Sequence, residues 1–261
     1  MALYDRLYYE LCGASGGPAL VLLHPLGGDL RVWDSVRDIW GDRYRVLAYD
    51  LPGAGKSPLP AAPQSLRGRV AELEALCVHL GLRQVIPIGI AIGAMLAASY
   101  AAAHPDRTVA AVLCDPAVQI SPAGREMMLA RIDSVRAGGM DALTPQAVDL
   151  AFKDMPHDDR YNDYLERFRH QDPRGYELNA LAALNFNIVH DLPRIASPTL
   201  VLAGESDVLF PPATARDVGE RIPGAVFRQI PQAAHFPPVQ NPTAFAAEVD
   251  AFIDHLPSGG S

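Results

Sequence analysis

The sequence predicts an α/β domain in which helices cover a mainly parallel sheet. Short apolar runs alternate with amphipathic stretches along most of the 261 residues, which is the pattern of strands joined by helical crossovers. One of these runs passes through Gly-x-Ala-x-Gly directly into a helix of small residues. Hydrophobic residues make up 49% of the chain, so one large domain, with or without an insertion, has enough apolar side chains for its core.

The first half of the chain supplies four predicted strands and two predicted helices. Residues 64–81 have apolar side chains at helical spacing, and Gly81 ends that pattern. The small-residue helix that follows the Gly-x-Ala-x-Gly turn covers residues 92–103. Continuous apolar runs predict buried strands at residues 19–23, 44–49, 85–90 and 108–114.

The periodicity changes between residues 118 and 190, where aromatic side chains occur in helical patterns and no run predicts a strand. Strand patterns resume at residues 199–203 and 225–230, and a last helix is predicted at residues 243–256. We therefore expect a sheet-based core formed by residues 1–117 and 191–256, a helical lid at 118–190 inserted after the sixth strand, and a flexible tail at 257–261.

The turn at residues 89–93 has the form of a nucleophile elbow without a nucleophile. In the G-x-S-x-G version of this turn, a serine lies on a strained strand-to-helix corner with its hydroxyl above the sheet. Gly89 and Gly93 are the residues that such a corner needs, because a Cβ would collide with the neighbouring strand or helix. Ala91 occupies the central position, so the nucleophilic oxygen is missing.

A glycine-rich turn, His24-Pro-Leu-Gly-Gly-Asp29, follows the first predicted buried strand. Backbone N–H groups in such a turn can point at a substrate oxygen and, with the N–H after the elbow position, form an oxyanion hole. The predicted donors are the amides of Leu26 and Ile92. Ile92 also begins a helix, whose dipole favours developing negative charge. An ordinary glycine turn without a ligand would have the same residues, so this motif alone does not decide the matter.

Two further polar residues come at the ends of predicted strands. Asp207 follows residues 199–203 and is placed to orient a histidine, although a turn or helix cap is an alternative role for it and Glu205 is a neighbouring alternative. His235 lies in the loop between the last strand and the last helix. The chain order of elbow, aspartate and histidine is that of one large class of serine hydrolases.

Taken together, the sequence resembles the α/β-hydrolase fold over nearly its whole length, and most of all the 3-oxoadipate enol-lactonase group. The resemblance implies a serine nucleophile, an aspartate, a histidine base and two backbone oxyanion donors. These positions correspond to Ala91, Asp207, His235, Leu26 and Ile92, so the serine is replaced by alanine. Besides the elbow, the similar segments are His24-Pro-Leu-Gly-Gly-Asp-Leu-Arg-Val-Trp33, Tyr49-Asp-Leu-Pro-Gly-Ala-Gly-Lys-Ser57, Ala101-Ala-Ala-His-Pro-Asp-Arg107 and Asn241-Pro-Thr-Ala-Phe245.

Three functions remain open for a hydrolase-like chain with a methyl group at position 91. The first is an ester or lactone hydrolase whose serine has been replaced, which is inactivated or traps its substrate. The second is a natural nucleophile-free enzyme in which His235 and Asp207 act as a general base for a lyase, isomerase, cyclase or cofactor-free oxygenase reaction. The third is a ligand-binding protein that has lost its chemistry. Retention of the Asp207 and His235 pair favours the first two.

The residues that contact a substrate are harder to predict. Trp33 follows the oxyanion turn and Phe236 follows the histidine, so both are candidates to line the pocket. Trp33 could equally be a core residue. Arg125 and Arg131 lie at the start of the lid and could pair with a substrate carboxylate, although such arginines are more often solvated.

The composition argues against several other classes of protein. The formal net charge is −8 at pH 7 and no Lys/Arg cluster occurs, so we expect no nucleic-acid partner. No apolar run is long enough to span a membrane, and the N-terminus lacks a signal-peptide pattern, so we expect a cytoplasmic protein. Cys12, Cys77 and Cys114 show no metal-ligand spacing. We expect a small ester or lactone as the partner and no cofactor or metal; the oligomeric state is not predicted.

Overall fold

The structure, a computed structural model, describes residues 2–4, 7–14 and 16–256. The tail predicted at residues 257–261 lies outside the described residues. Eight strands within them form one sheet in the order β1-β2-β4-β3-β5-β6-β7-β8. The strands are Ala2–Tyr4 (β1), Leu7–Cys12 (β2), Ala19–Leu23 (β3), Arg45–Tyr49 (β4), Val85–Ile90 (β5), Ala111–Cys114 (β6), Thr199–Gly204 (β7) and Val226–Ile230 (β8).

The sheet is antiparallel at one edge and parallel elsewhere. β2 pairs antiparallel with both β1 and β4, whereas β4, β3, β5, β6, β7 and β8 pair in parallel. The carboxyl ends of the parallel strands therefore meet at one edge, where ligands bind in open α/β sheets. The predicted α/β class with a mainly parallel sheet is confirmed.

Helices cover both faces of this sheet. Along the strands, side chains alternate between two apolar layers: in β3, Leu20 and Leu22 face one layer while Val21 and Leu23 face the other. The α-helices are Asp34–Trp40 (α1), Leu66–His79 (α2), Ile92–Ala103 (α3), Pro122–Gly138 (α4), Gln146–Ala151 (α5), Asp159–Arg169 (α6), Pro173–Ala183 (α7), Pro212–Glu220 (α8), Pro237–Gln240 (α9) and Pro242–Asp254 (α10). Short 3-10 helices cover Leu30–Trp33, Met140–Ala142 and Leu192–Arg194.

The differences from the sequence-based expectation lie mainly in short or edge elements. The strand expected at 108–114 begins at Ala111, because Thr108 makes only an isolated bridge to Val85. The antiparallel edge strands and α1 were not predicted from the sequence. α1 has seven residues, too few for a clear helical period. Within the described residues, every helix is too short or too polar to span a membrane.

The helices α4 to α7, here called the inserted helices, lie between β6 and β7 in the chain and pack directly on loops at the carboxyl edge of the sheet. Gly175 in α7 lies against Gly53, and a Cβ on Gly175 would overlap the carbonyl oxygen of Gly53. The ring of Phe168 in α6 likewise occupies the space that a Cβ on Gly27 would need. These close approaches place the inserted helices over the strand ends.

Candidate active site

The predicted elbow is formed between β5 and α3. Ala91 has φ 51° and ψ −112°, a conformation that costs an alanine on the order of 1–3 kcal/mol and that the surrounding structure must enforce. Its amide donates to the carbonyl oxygen of Cys114 at 2.9 Å. A Cβ on Gly89 would overlap the carbonyl oxygen of Gly93, and a Cβ on Gly93 would overlap that of Leu23. The strain typical of a nucleophile elbow is therefore present, with a methyl group at its tip.

His235 and Asp207 are in contact, as the sequence predicts. His235 Nδ1 lies 2.8 Å from Asp207 Oδ2, and Asp207 Oδ1 accepts from the amides of Leu209 at 2.8 Å and Phe210 at 3.1 Å. Burial would raise the pKa of Asp207, but His235 and the two amides outweigh it and hold the pKa below its usual value. Because the ionised carboxylate only accepts, Nδ1 carries the proton, and Nε2 is left as the basic nitrogen.

The loop that carries His235 is held by hydrogen bonds to the side chain of Gln240, a residue that was not predicted to contribute to the site. Gln240 Oε1 accepts from the amides of Ala234 at 2.7 Å and Phe236 at 3.0 Å, and its Nε2 donates to the carbonyl oxygen of Ala151 at 3.1 Å. Ala151 ends α5, so one buried side chain joins the histidine loop to the inserted helices. A glutamine gives no signal for this role in the sequence except its position just before Asn241-Pro.

A second aspartate, Asp115, lies beside the pair and was also missed. It follows β6, is fully buried, and accepts from the amide of Gly204 at 2.9 Å. Burial, with the negative charge of Asp207 adding to it, raises the pKa of Asp115 well above its usual value, whereas the pKa of Asp207 is lowered. Its place at the carboxyl end of a parallel strand is the signal that could have identified it.

Asp115, Asp207 and His235 also form a group whose ligand atoms lie within 4.8 Å of one another. Such spacing could hold a metal ion. Asp207 Oδ2 and His235 Nδ1 are, however, already hydrogen-bonded to each other, and the two carboxyl oxygens of Asp115 accept from the amide of Gly204 and the thiol of Cys114. We therefore interpret the group as a hydrogen-bonded network around His235.

Leu26, on the glycine-rich turn after β3, and Ile92, at the start of α3, line the same cavity as Ala91 and His235. Neither amide donates to another group among the described residues. His24 fixes the turn, because its Nε2 accepts from the amide of Leu51 at 2.9 Å and its Nδ1 lies 2.8 Å from the carbonyl oxygen of Pro25. Two residues whose amides have no partner among the described residues therefore line the cavity together with His235; their role as oxyanion donors stays a prediction.

These groups face a cavity of about 110 Å³. One wall consists of loops after the strands, and the other of the inserted helices. The lining is apolar apart from a few polar groups, which is usual for a site that binds a small organic molecule. Its residues are Pro25, Leu26, Ala91, Ile92, Ile120, Gly124, Met127, Met128, Arg131, Ala147, Val148, Ala151, Tyr164, Phe168, Tyr176, Leu209, Phe210, His235 and Phe236.

The structure separates the four residues predicted as possible substrate contacts. Phe236 lines the cavity, and so does Arg131. Trp33 does not: it has no exposed surface and packs in the core against Phe245, with ring centroids 6.0 Å apart, so its inclusion was wrong. Arg125 is exposed and donates to the carbonyl oxygen of Leu184 at 3.2 Å. Arg125 and Arg131 of α4 therefore point in different directions.

Comparison with known proteins agrees with this geometry. A family model described as the alpha/beta hydrolase fold matches residues 18–242. The chain belongs to the α/β-hydrolase fold family. It is 27% identical to 3-oxoadipate enol-lactonase 2 of Acinetobacter baylyi over 95% of this chain and 92% of that one. It is 28% identical to a pimeloyl-[acyl-carrier protein] methyl ester esterase of Aeromonas hydrophila, over 91% of this chain and 96% of that one.

Among solved structures, the fold is similar to that of the enol-lactonase from Burkholderia xenovorans LB400. The TM-score is 0.89 and the identity 27%, over 95% of this chain and 96% of that chain. These relatives are hydrolases, so the chain has a hydrolase scaffold, and its predicted similarity to enol-lactonases is confirmed. What this family member does with alanine at the elbow is a separate question.

Proposed function

We propose that this chain binds a small organic ester or lactone in the cavity under the inserted helices, with residues 118–190 acting as a lid on the core. The observation that carries the proposal is the joint presence of a formed His235–Asp207 pair, two unpaired amides and an elbow that lacks only its hydroxyl. The hydrolase relatives, which include an enol-lactonase and a methyl ester esterase, support this substrate class.

The proposed chemistry follows from the missing oxygen. The amides of Leu26 and Ile92 bind the substrate carbonyl oxygen, and His235 Nε2 takes a proton from a water molecule, in place of a serine hydroxyl, as the water oxygen attacks the carbonyl carbon. The C–O bond to the alkoxide then breaks, and the alkoxide oxygen receives the proton from His235. Asp207 stabilises the imidazolium that forms. No acyl-enzyme can arise on Ala91. Losing the nucleophile of a serine hydrolase costs roughly 10⁶ in turnover and leaves about 10³–10⁴ over water, so we expect the chain to bind its substrate and to hydrolyse it only very slowly.

The test compares the chain with its Ala91→Ser variant on a panel of small lactones and esters, measured by proton release. We expect serine to raise turnover by at least about 10³-fold, because the elbow, base and oxyanion donors already lie in place. Ala91→Gly is the matched control, since it alters the same position without adding a hydroxyl and should give no gain.

The double variant Ala91→Ser/His235→Ala should return to the starting rate, which would show that the added serine acts through the histidine. If the folded serine variant gains nothing on any ester or lactone, the hydrolase proposal is wrong.

A second candidate function is favoured by one observation: His235, with an intact aspartate partner, faces an apolar cavity whose described lining residues include no serine, threonine or cysteine. Such a base could abstract a proton from an acidic carbon and support a lyase, isomerase, cyclase or oxygenase reaction. Deuterium uptake from D₂O into acetylacetone, accelerated by the chain and lost in His235→Ala, would favour this function over hydrolysis. Binding of esters without either chemistry would indicate a ligand-binding protein.

A further inference from the structure

The wall of the cavity opposite the oxyanion donors contains a cationic group without an anionic partner. The face of α4 turned to the cavity consists of Gly124, Met127, Met128 and Arg131, at the i, i+3, i+4 and i+7 spacing of one helical face. Among the described lining residues, Arg131 is the single lysine or arginine. No carboxylate oxygen of the described residues lies within 4.0 Å of its guanidinium.

Arg167, another arginine of the inserted helices, differs from Arg131 because it forms ion pairs with carboxylates of the protein. Arg167 in α6 lies over the ring of Tyr164, 5.6 Å from its centroid. It forms ion pairs with Asp29 at 3.4 Å and with Asp163 at 2.9 Å. Arg167 is therefore neutralised by the protein itself, whereas Arg131, which lines the cavity, has no carboxylate partner among the described residues.

Two tyrosine hydroxyls accompany Arg131. Tyr176 and Tyr164 both line the cavity and are almost fully buried, and the hydroxyl of Tyr164 has no hydrogen-bond partner. Burial raises the pKa of Tyr176, and the adjacent Arg131 guanidinium opposes that rise through charge and hydrogen bonding. The buried Tyr164 hydroxyl, which has no partner among the described residues, is costly unless a ligand supplies one, and the partly buried Arg131 guanidinium has donors to spare beyond its contact with Tyr176.

We propose that Arg131, with the hydroxyls of Tyr164 and Tyr176, forms an anion subsite, and that the preferred ligand is an ester or lactone bearing a carboxylate away from its reacting carbonyl. The carbonyl lies at the amides of Leu26 and Ile92, the carboxylate lies at Arg131, and the apolar lining between them contacts the hydrocarbon part. A guanidinium binds a carboxylate through two parallel hydrogen bonds, which gives orientation as well as affinity. The inference rests on the proposed ester or lactone site.

The missing nucleophile makes the test direct, since esters survive long enough for equilibrium binding to be measured by calorimetry. The probes are monomethyl succinate, monomethyl glutarate and monomethyl adipate, each compared with the methyl ester of the monoacid in which a methyl group replaces the carboxylate. We expect at least one carboxylate ester to bind roughly tenfold more tightly than its neutral partner, as for a hydrogen-bonded charge pair.

Variants of α4 test whether Arg131 causes the difference in affinity between the carboxylate ester and the neutral ester. Arg131→Gln should weaken the carboxylate ester about tenfold and leave the neutral ester within about twofold, and Arg131→Lys should lose less, because it keeps the charge without the paired geometry. Arg125→Gln, on the exposed side of the same helix, is the matched control and should change neither. Circular dichroism melting confirms that each variant is folded.

The outcomes separate the two proposals. Equal binding of charged and neutral esters, unaffected by Arg131→Gln, would overturn the anion subsite and leave the ester site standing. Failure of every ester to bind would contradict the proposed function and the anion subsite together. Selective loss of the carboxylate ester in Arg131→Gln, with Arg125→Gln unchanged, supports both.

Discussion

The two walls of the cavity are built on different physical principles. The strand-end wall, formed by the loops after β3, β5, β7 and β8, is fixed by hydrogen bonds to backbone groups and by glycines that allow no side chain. The inserted helices contribute side chains that are mostly apolar and aromatic, with two methionines among them. Ala91 at a strained φ of 51° and Met128 on a regular helix illustrate the two extremes.

The two walls suit different tasks: positioning the groups proposed to react, and determining which ligand binds. The roles proposed for His235, Asp207 and the two amides require positions held to within fractions of an ångström, which hydrogen-bonded loops on a sheet provide. A ligand's body needs only shape and polarity, which methionine and aromatic side chains provide with adaptability. Substitutions in the strand-end wall should therefore lower the stability of the protein. Substitutions in the helical wall should have little effect on stability and should instead change which ligand binds.

The largest expected effect on stability is at Gly204, where β7 ends beneath the histidine loop. A Cβ there would overlap the carbonyl oxygen of Ala234, so Gly204→Ala should lower the free energy of unfolding by about 3 kcal/mol, measured by urea denaturation. Gly17→Ala is the matched control, since no atom of the described residues outside its chain neighbours lies within 4 Å of its Cβ position, and it should change the value by less than about 0.5 kcal/mol. Equal effects would contradict the tight strand-end wall.

The next effect concerns pH and the turn that holds the oxyanion donors. Burial lowers the pKa of His24 from 6.5 to about 4. Between these values the unfolded chain binds the proton and the folded chain does not, so stability falls as pH falls through that window, by about 3 kcal/mol. His24→Gln can accept and donate at the same places without titrating, and its stability curve should be flatter by this amount between pH 6.5 and 4.

Asp50 changes the free energy of unfolding with pH in the opposite direction to His24. The quantity to measure is therefore the difference between the pH dependence of the chain and that of His24→Gln, because the contribution of Asp50 is common to both. Burial raises the pKa of Asp50 to about 6, so its contribution is present at low pH and is lost as pH rises through that value. His190→Gln, at an exposed position, serves as the control for removing a histidine. Parallel curves for the chain and His24→Gln would show that His24 does not couple the turn to pH.

The smallest effect is expected on the helical wall. Met128→Leu conserves volume in a partly buried position, so the free energy of unfolding should change by less than about 1.5 kcal/mol. The dissociation constants of esters that differ in chain branching should shift relative to one another, as calorimetry can show. A loss of stability as large as that of Gly204→Ala would mean that the helical wall is as rigid as the strand-end wall.

Much of the strand-end wall was predictable from the sequence because its residues follow strands in the chain. Gly89-x-Ala91-x-Gly93, the turn at Leu26, Asp207 and His235 each come directly after an apolar run or in the loop beyond it, and parallel strands bring such loops to one edge. Asp115 has the same placement and could have been selected by the same argument. The structure puts these residues together as the pattern predicts.

Trp33, Gln240 and Arg131 show what only the tertiary structure decided. Trp33 follows the turn in sequence but packs into the core, since the 3-10 helix Leu30–Trp33 turns its ring toward Phe245. Gln240 bonds to groups on both walls, and Arg131 faces the cavity while Arg125 does not, because helix packing selects one face. The sequence by itself determined the fold and the chemical groups at the strand ends, because local periodicity and turn residues encode them. Which side chains of the inserted helices meet the ligand was decided by long-range packing, which no local pattern encodes.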